Sequence, residues 1–323
     1  MRPIVRNPGA VKYAICNGPD LIHSSSGTAI HSSLAVMISI VVPAHNESTV
    51  IARTLKPWVT GAGSEDISAV VVCNGCTDET ASIARRFGPT VRVVDTEIAS
   101  KIHALNLGDQ LSNVFPRIYV DADIVITIDA IRALADRLRR GDVLAVAPTP
   151  DIDLTGCSRL VRLYFSIRDR LPSARQGFGG SGVYALSEAG RRRFSQFPDV
   201  IADDTFVRLQ FRPDERETLT TIKSKVFPAR TIGQLIAVRT RAHAGTSEII
   251  RRFPELTGNR GETNSRTLLG LFANPLLWPG LSVFCYVNIV ARYKAKARSR
   301  ARTAVWQRDD SSRAALSADA PKK

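Results

Sequence analysis

Ile38-Ser39-Ile40-Val41-Val42-Pro43-Ala44-His45-Asn46-Glu47 is the stretch that decides the fold, because an apolar, β-branched run passes directly into a polar turn. The first five residues have no alternation of apolar and polar side chains, which is typical of a parallel strand buried on both faces. After the turn, Val50, Ile51, Thr54 and Leu55 lie on one side of a predicted helix. This order is the beginning of a βαβ unit.

Three further strands are predicted along the chain, at residues 69–72, 91–94 and 118–120. A helix is predicted after each of the first two. Thr77 is expected to cap the earlier helix, with acidic residues in its first turn and Gly88 just past its end. Strands that alternate with helices in this way form right-handed crossovers. The predicted fold class is therefore α/β, with a mainly parallel central sheet and flanking helices.

Polar side chains gather at or just beyond the carboxyl ends of these four strands. In an open α/β sheet, that edge is where ligands bind. Turns at the opposite edge, such as residues 61–64, lack this concentration. The polar residues at the strand ends are His45, Asn46, Glu47, Asn74, Asp78, Asp95, Asp121 and Asp123. Their placement predicts a functional site at this edge of the sheet.

Two carboxylates, Asp121 and Asp123, directly follow the fourth strand. Carboxylates two residues apart at a strand end can point to one side and share a hard cation. Mg²⁺ or Mn²⁺ bound in this way usually completes its ligand shell with water and substrate phosphate. The motif predicts a divalent metal cofactor, Mn²⁺ or Mg²⁺. Taken alone, so short a motif is equally compatible with a solvated turn.

The charge of the chain restricts its partners. Its 323 residues carry a formal net charge of +14, which suits nucleic acid, an anionic membrane surface or a nucleotide diphosphate. Aromatic residues are few and no nucleic-acid-binding module is recognisable, so the sequence argues against nucleic acid as a partner.

The five cysteines have irregular spacing and do not form a disulfide framework. Cys73 and Cys76 form a C-x-x-C motif, but no second pair accompanies them, which argues against a four-cysteine zinc site. This cysteine usage predicts a cytoplasmic protein.

Five short motifs follow one another in a fixed order, at residues 42–47, 74–78, 101–106, 121–123 and 202–204. In this order they resemble the family 2 glycosyltransferases, which have the nucleotide-diphospho-sugar transferase fold called GT-A. The resemblance covers roughly residues 38–245. It implies an inverting transferase that moves a sugar from a nucleotide diphosphate donor to a hydroxyl acceptor in glycan, glycolipid or secondary-metabolite synthesis. Such an enzyme is expected in synthesis of the cell envelope.

The resemblance also implies roles for individual residues on the donor side. The base and ribose would be held by Pro43, Ala44, His45, Glu47, Asn74 and Asp78. Lys101 and Asn106 would lie near the diphosphate and the donor sugar. Asp121 and Asp123 would hold the metal, and Asp121 also contacts the nucleotide sugar. The family usually has Asp where this chain has Asn74, so the nucleotide base is left open.

Asp204 would be the general base by the same resemblance, because it occupies the place of the second acidic residue of the family's Glu-Asp pair. The acceptor hydroxyl has a very high pKa, so a carboxylate must take its proton as the new bond forms. Asp203 is the alternative base, or it binds the acceptor or caps a helix.

Four other features of the sequence are candidates for a role in the site or on the surface. His243 is a third metal ligand or diphosphate contact, as some transferases of this fold have a late histidine, or it is a surface residue. Arg239 and Arg241 are candidates to stabilise the leaving diphosphate. The glycine-rich turn 177–182 lets the backbone approach a substrate, or is only a loop. The arginine run 191–193 is predicted to be a solvated helix face.

The sequence predicts five segments. Residues 1–36 are a leader that is disordered or precedes the natural start at Met37. Residues 37–147 form the nucleotide-sugar-binding half, and residues 148–266 the acceptor-binding and catalytic half. Residues 267–302 form an apolar helix with a basic flank, and residues 303–323 a disordered tail.

The apolar stretch 268–291 is long enough to span a bilayer, but Asn274, Pro275 and Pro279 interrupt it. An interfacial or re-entrant helix is therefore predicted, with a buried core helix as the alternative. The basic residues after it would lie against anionic lipid on the cytoplasmic side. This arrangement predicts a peripheral or anchored protein on the cytoplasmic face of the membrane.

Other functions compete with this interpretation. A polyprenyl-phosphate sugar synthase would have the same fold with a lipid phosphate acceptor, and would depend less on Asp204. A nucleotidyltransferase would be expected to show a glycine-rich phosphate loop after the first strand, and residues 43–47 do not form one. A non-catalytic sugar-nucleotide binding protein is the third alternative.

Overall fold

The computed structural model describes residues 37–59, 66–261 and 264–300, with side chains as far as residue 297. The predicted leader at residues 1–36, the turn at residues 61–64 and the predicted tail at residues 303–323 lie outside the described residues.

The described residues form one seven-stranded sheet with the order β3-β2-β1-β4-β6-β5-β7. The strands are β1 (Ile38–Ala44), β2 (Ile67–Asn74), β3 (Val91–Thr96), β4 (Arg117–Val120), β5 (Ala145–Ile152), β6 (Val183–Leu186) and β7 (Arg216–Val226). Only β6 runs antiparallel to its neighbours, β4 and β5. The other paired strands are parallel. The predicted α/β class with a mainly parallel sheet is confirmed.

The helices cover both faces of this sheet. They are α1 (Ile51–Val59), α2 (Thr80–Arg85), α3 (Lys101–Gln110), α4 (Ile128–Arg139), α5 (Arg159–Arg168), α6 (Glu188–Arg191), α7 (Asp203–Leu209), α8 (Ile232–Arg252), α9 (Ser265–Leu271) and α10 (Trp278–Arg300). Hydroxyl caps begin several of them. Ser158 accepts a hydrogen bond at the start of α5, and Thr231 forms a capping box with Gln234 at the start of α8.

Both faces of β1 are buried, which explains its uninterrupted apolar sequence. Side chains alternate between the faces of a strand. Ile40 therefore packs in the cluster that contains Leu55 and Leu134, and Val41 packs with Leu105 on the other face. Helices packed on both faces of the sheet stabilise the edge at which the predicted site lies.

The predicted cap of α2 was wrong. The helix begins at Thr80 rather than directly after Thr77, and its N-cap residue Glu79 makes no capping side-chain bond. Asp78 instead accepts a hydrogen bond from the Thr80 amide at 3.0 Å. Residues 77–80 form a turn that contains Asp78. For this reason α2 begins later than predicted.

The boundary predicted between residues 147 and 148 falls inside β5, so the two halves share the sheet. The prediction of a solvated arginine run was also wrong for Arg191, which is buried. Arg191 donates to Asp109, and Asp109 also accepts from Arg117. The side chain of Arg192 is exposed, as predicted. Only Arg191 lies within α6, and consecutive residues of a helix point about 100° apart, so the three arginines do not share one face.

The C-terminal helix α10 packs against α5 and α8 through Leu281, Phe284 and Val287. Within the described residues, no single helix has the length and apolar character to cross a membrane. Helix α9 and residues 275–297 meet that requirement only as a pair, bent by 107°. The bend lies at the interruption that the sequence shows around Pro275.

Candidate active site

Loops at the carboxyl ends of β1, β2 and β4 open into one cavity of about 380 Å³. Helices α3, α5, α7 and α8 also contribute polar side chains to its wall. The predicted site residues that line it are Pro43, His45, Glu47, Asn74, Lys101, Asp121, Asp123, Asp203, Asp204 and Arg241. The sheet edge therefore collects residues that are as much as 198 positions apart in the chain, counted from Pro43 to Arg241.

Lys101 connects two of the acidic groups in this cavity. It is the first residue of α3, whose N-cap Ser100 accepts a hydrogen bond from the His103 amide. The Lys101 Nζ atom lies 2.8 Å from Asp121 Oδ1 and 3.0 Å from Asp203 Oδ1. Burial acts to lower the pKa of Lys101, but the two facing carboxylates raise it above its ordinary value. Lys101 is therefore a fixed positive charge inside an acidic cluster.

Asp203 and Asp204 have different environments although they are adjacent. The Asp203 carboxylate is buried and bound to Lys101. Burial, with Asp204 and Asp121 nearby, raises the pKa of Asp203 above its ordinary value, against the opposing effect of Lys101. Asp204 is partly exposed, and its Oδ1 accepts a hydrogen bond from the Thr205 amide at 2.6 Å. Asp204 has the greater access to a substrate.

The glycine-rich turn approaches this cluster closely. Gly179 and Gly182 have φ values of +83° and +64°, which L side chains rarely adopt. A Cβ atom on Gly179 would lie 3.6 Å from Asp204 Oδ2, and one on Gly182 would lie 3.3 Å from Asp121 Oδ2 and 2.4 Å from Ile124 Cγ1. Of the two interpretations of the turn, close approach of the backbone to the site fits this geometry.

Asn106 and Asp78 do not line the cavity, and their contacts with a donor stay predictions. Asn106 donates to the Phe197 carbonyl at 3.0 Å and accepts from its amide at 2.9 Å. Asp78 accepts from the Ser48 amide at 3.1 Å and so ties the β1 and β2 turns together. Backbone partners satisfy both side chains.

Ala44 and His243 are also outside the cavity lining. Ala44 is buried, and its carbonyl accepts from Cys76 Sγ at 3.4 Å. His243 Nε2 lies 3.4 Å from Asn288 Oδ1 of α10. Burial and the charge of Arg239 lower the pKa of His243, which favours neutral imidazole. The side chain of His243 lies toward α10, and its metal role stays a prediction.

Among the lining residues that the sequence did not indicate are Tyr184 and Arg168. Tyr184 on β6 stacks on Tyr119 with 4.9 Å between the ring centroids, and its buried hydroxyl has no hydrogen-bond partner in the described part of the chain. Arg168 is the last residue of α5. Neither stands in a motif, so the only sequence signal for Tyr184 was the apolar run after the glycine-rich turn.

The acidic cluster by itself does not complete the ligand shell of a divalent metal, so substrate oxygens would have to supply further ligands. Across residues 37–59, 66–261 and 264–297, no group of three or more His, Cys, Asp or Glu side chains is arranged to hold a metal ion. Asp121 and Asp123 provide carboxylates in the same cavity. Two carboxylates, with water and substrate phosphate, are a common ligand set for Mg²⁺.

The mainly parallel sheet, with an acidic pair after β4 and a second acidic pair at α7, defines a nucleotide-diphospho-sugar transferase fold of the GT-A class. The sequence model described as "Glycosyl transferase family 2" matches residues 39–195. Over residues 39–195 the chain therefore matches the family 2 glycosyltransferases, and this match supports glycosyltransferase activity.

One solved structure agrees with this fold. The mannosyltransferase PcManGT from Pyrobaculum calidifontis, solved with GDP-Man and Mn²⁺, is 20% identical, with a TM-score of 0.54 over 82% of this chain and 75% of its own. TarS residues 1–349 from S. aureus are 12% identical, with a TM-score of 0.45 over 84% of this chain and 94% of theirs. No curated protein sequence matches the chain significantly.

Proposed function

We propose that this glycosyltransferase is a metal-dependent, inverting enzyme that moves a sugar from a nucleoside diphosphate to a hydroxyl acceptor. One observation carries the proposal: Asp121 and Asp203 converge on Lys101 within 3.0 Å, in the cavity that Asp123 and Asp204 also line. Carboxylates beside a fixed cation provide both a metal site and a base.

The donor side of the cavity is the wall formed by the β1 and β2 turns. His45 Nδ1 lies 2.5 Å from the Asn74 carbonyl oxygen, and this contact holds the imidazole at the cavity wall. We assign this wall to the nucleotide. Lys101 and Arg241 are placed to stabilise the negative charge that develops on the leaving diphosphate. The structurally similar mannosyltransferase was solved with a nucleotide sugar and Mn²⁺, which supports this assignment.

Asp121 and Asp123 would hold the metal, whose positive charge stabilises a leaving diphosphate when it is bound. Asp204 is the proposed base. The acceptor oxygen forms a bond to the anomeric carbon, the bond from that carbon to the diphosphate oxygen breaks, and Asp204 takes the hydroxyl proton. Attack from the face opposite the diphosphate inverts the anomeric centre. Asp203 is assigned to hold Lys101, because its carboxylate is already bound to it.

We predict that Asp123→Ala reduces Mn²⁺-dependent binding of a nucleoside diphosphate at least about 10-fold, because it removes one of the two proposed metal ligands. Isothermal titration of GDP and UDP, with Mn²⁺ and with chelator, measures the effect. Asp136→Ala is the matched control, since the Asp136 side chain is 65% exposed on α4. Unchanged Mn²⁺-dependent binding in the Asp123 variant would remove this residue from the metal site.

We also propose that the protein binds the anionic surface of the cytoplasmic leaflet through the α9–α10 corner and α10. Leu276 is 88% exposed and Trp278 is 54% exposed at the corner. Ile289 and Tyr293 expose apolar surface one turn apart on α10, close to Lys294. Apolar side chains beside basic ones are typical of helices that lie in the membrane interface.

Leu276→Glu is expected to weaken binding to vesicles that contain phosphatidylserine by about 10-fold, since a charge replaces an inserted apolar side chain. Vesicle co-sedimentation at two salt concentrations measures it. Leu160→Glu is the control, because Leu160 is also exposed, at 45%, but lies on α5. Equal binding by both variants would contradict the proposed surface.

A further inference from the structure

Arg168 is a half-buried cation in the cavity, and the proposed function gives it no role. It ends α5 and lines the cavity, with its side chain 18% exposed. Its Nη1 atom is buried without a hydrogen-bond partner in the described part of the chain. Asp169, whose side chain is 52% exposed, is 3.6 Å away. Burial lowers the pKa of Arg168, and nearby Arg239 adds to this effect.

Arg239 on α8 is a second cation in the same wall. Its Nε atom is likewise buried without a hydrogen-bond partner in the described residues. Two guanidinium groups in one cavity wall, each with an unsatisfied donor, are costly to hold together in a folded protein. A bound anion would satisfy the donors of both groups.

The position of Arg168 places such an anion on the acceptor side. A Cβ atom on Gly180 would lie 3.1 Å from Arg168 Nη2, while one on the adjacent Gly179 would lie 3.6 Å from Asp204 Oδ2. The guanidinium and the proposed base therefore lie beside consecutive residues of one turn. Tyr164 also lines this part of the cavity.

We propose that the acceptor carries an anionic group, a carboxylate or a phosphate, which Arg168 and Arg239 bind while the acceptor hydroxyl faces Asp204. This inference rests on the proposed function, because it assigns the substrate class of the same site. A guanidinium group binds either oxyanion through paired hydrogen bonds. The paired cations would then select acidic acceptors over neutral ones of the same shape.

The experiment compares matched acidic and neutral probes by ligand-observed NMR, with the donor side saturated by GDP or UDP and Mn²⁺. Methyl glucuronide against methyl glucoside tests a carboxylate, and glycerol 3-phosphate against glycerol tests a phosphate. In at least one pair the acidic probe is expected to bind about 10- to 100-fold more tightly, as hydrogen bonds to a charged group allow. The pair that shows the larger ratio identifies the anion.

Arg168→Gln is expected to bring that ratio close to one, while Arg168→Lys keeps part of it and Arg159→Gln keeps all of it. Arg159 is the matched control because it is exposed on the same helix and does not line the cavity. Nucleotide binding in the Arg168→Gln variant should equal that of the parent protein. A folded Arg168→Lys variant, judged by its circular dichroism, excludes a purely structural effect.

Four results would overturn the inference, and they are distinguishable. If the protein binds nucleotide but prefers neither acidic probe, the acceptor class is wrong and the proposed function stands. The same holds if a preference survives in Arg168→Gln. If the Arg168→Gln variant loses nucleotide binding, Arg168 belongs to the donor side. If the parent protein binds neither GDP nor UDP, the proposed function itself fails, and the inference with it.

Discussion

Asp204→Asn is expected to reduce glycosyl transfer by about 10²–10⁴-fold while leaving nucleotide binding intact. General base catalysis is typically worth this much, and the amide of Asn cannot accept the acceptor proton. The substitution conserves shape, so the hydrogen bond from the Thr205 amide to the side-chain oxygen is retained. Single-turnover transfer and titration with nucleotide measure the two effects separately.

Asp214→Asn is the matched control, because the Asp214 side chain is 68% exposed and pairs only with Arg212 among the described residues. Asp203→Asn gives a useful contrast. It should weaken the ion pair with Lys101, and we therefore expect it to alter nucleotide binding as well as transfer. If Asp204→Asn shows normal turnover, Asp204 is not the base, and Asp203 is the alternative.

The largest effect on stability is expected from Asp109→Asn, at about 3–5 kcal/mol of the free energy of unfolding. Asp109 accepts from Arg117 and from Arg191, whose Nη2 lies 2.6 Å from Asp109 Oδ2. It also accepts from the Tyr119 hydroxyl at 2.5 Å. Removal of the carboxylate charge would leave two buried guanidinium groups with less negative charge to balance their positive charges. Urea unfolding at pH 7 measures the difference.

The effect should depend on pH with a definite sign. Burial acts to raise the pKa of Asp109, but hydrogen bonds from Arg191 and Tyr119 and the charge of Arg117 lower it below its ordinary value. A lowered pKa in the folded state means that the stabilisation is present above about pH 4 and is lost as the pH falls further. Asp129→Asn is the control, since its side chain is 88% exposed. A loss below about 1 kcal/mol at pH 7 would contradict the network's role.

Much of the donor half was predictable because buried parallel strands have a strong local signal. The run at residues 38–42 is apolar throughout, and the sheet covers both of its faces. The location of the polar residues after β1 and β4 was predictable for a related reason. Parallel strands bring their carboxyl ends to one edge of the sheet. Asp121 and Asp123 were located in this way without any knowledge of their neighbours.

The resemblance to a family pointed to Lys101, Asp203 and Asp204, which line the cavity, but motif position does not show what each side chain contacts. Asn106 lies within a matched motif, and its amide binds the Phe197 backbone. His243 Nε2 lies 3.4 Å from Asn288 Oδ1. On a helix, the face that a side chain occupies depends on what packs against that helix, and a motif does not contain this information.

The amino-acid sequence by itself determined the strand order along the chain, the edge at which the site lies and the acidic residues that occupy it. Each depends on local apolar patterns and on the geometry of parallel strands. Only the tertiary structure decided that Arg191 is buried against Asp109 and that Arg168 faces the cavity beside the glycine-rich turn. The environment of an arginine is set by charges and donors that are distant in sequence, and folding alone brings them together.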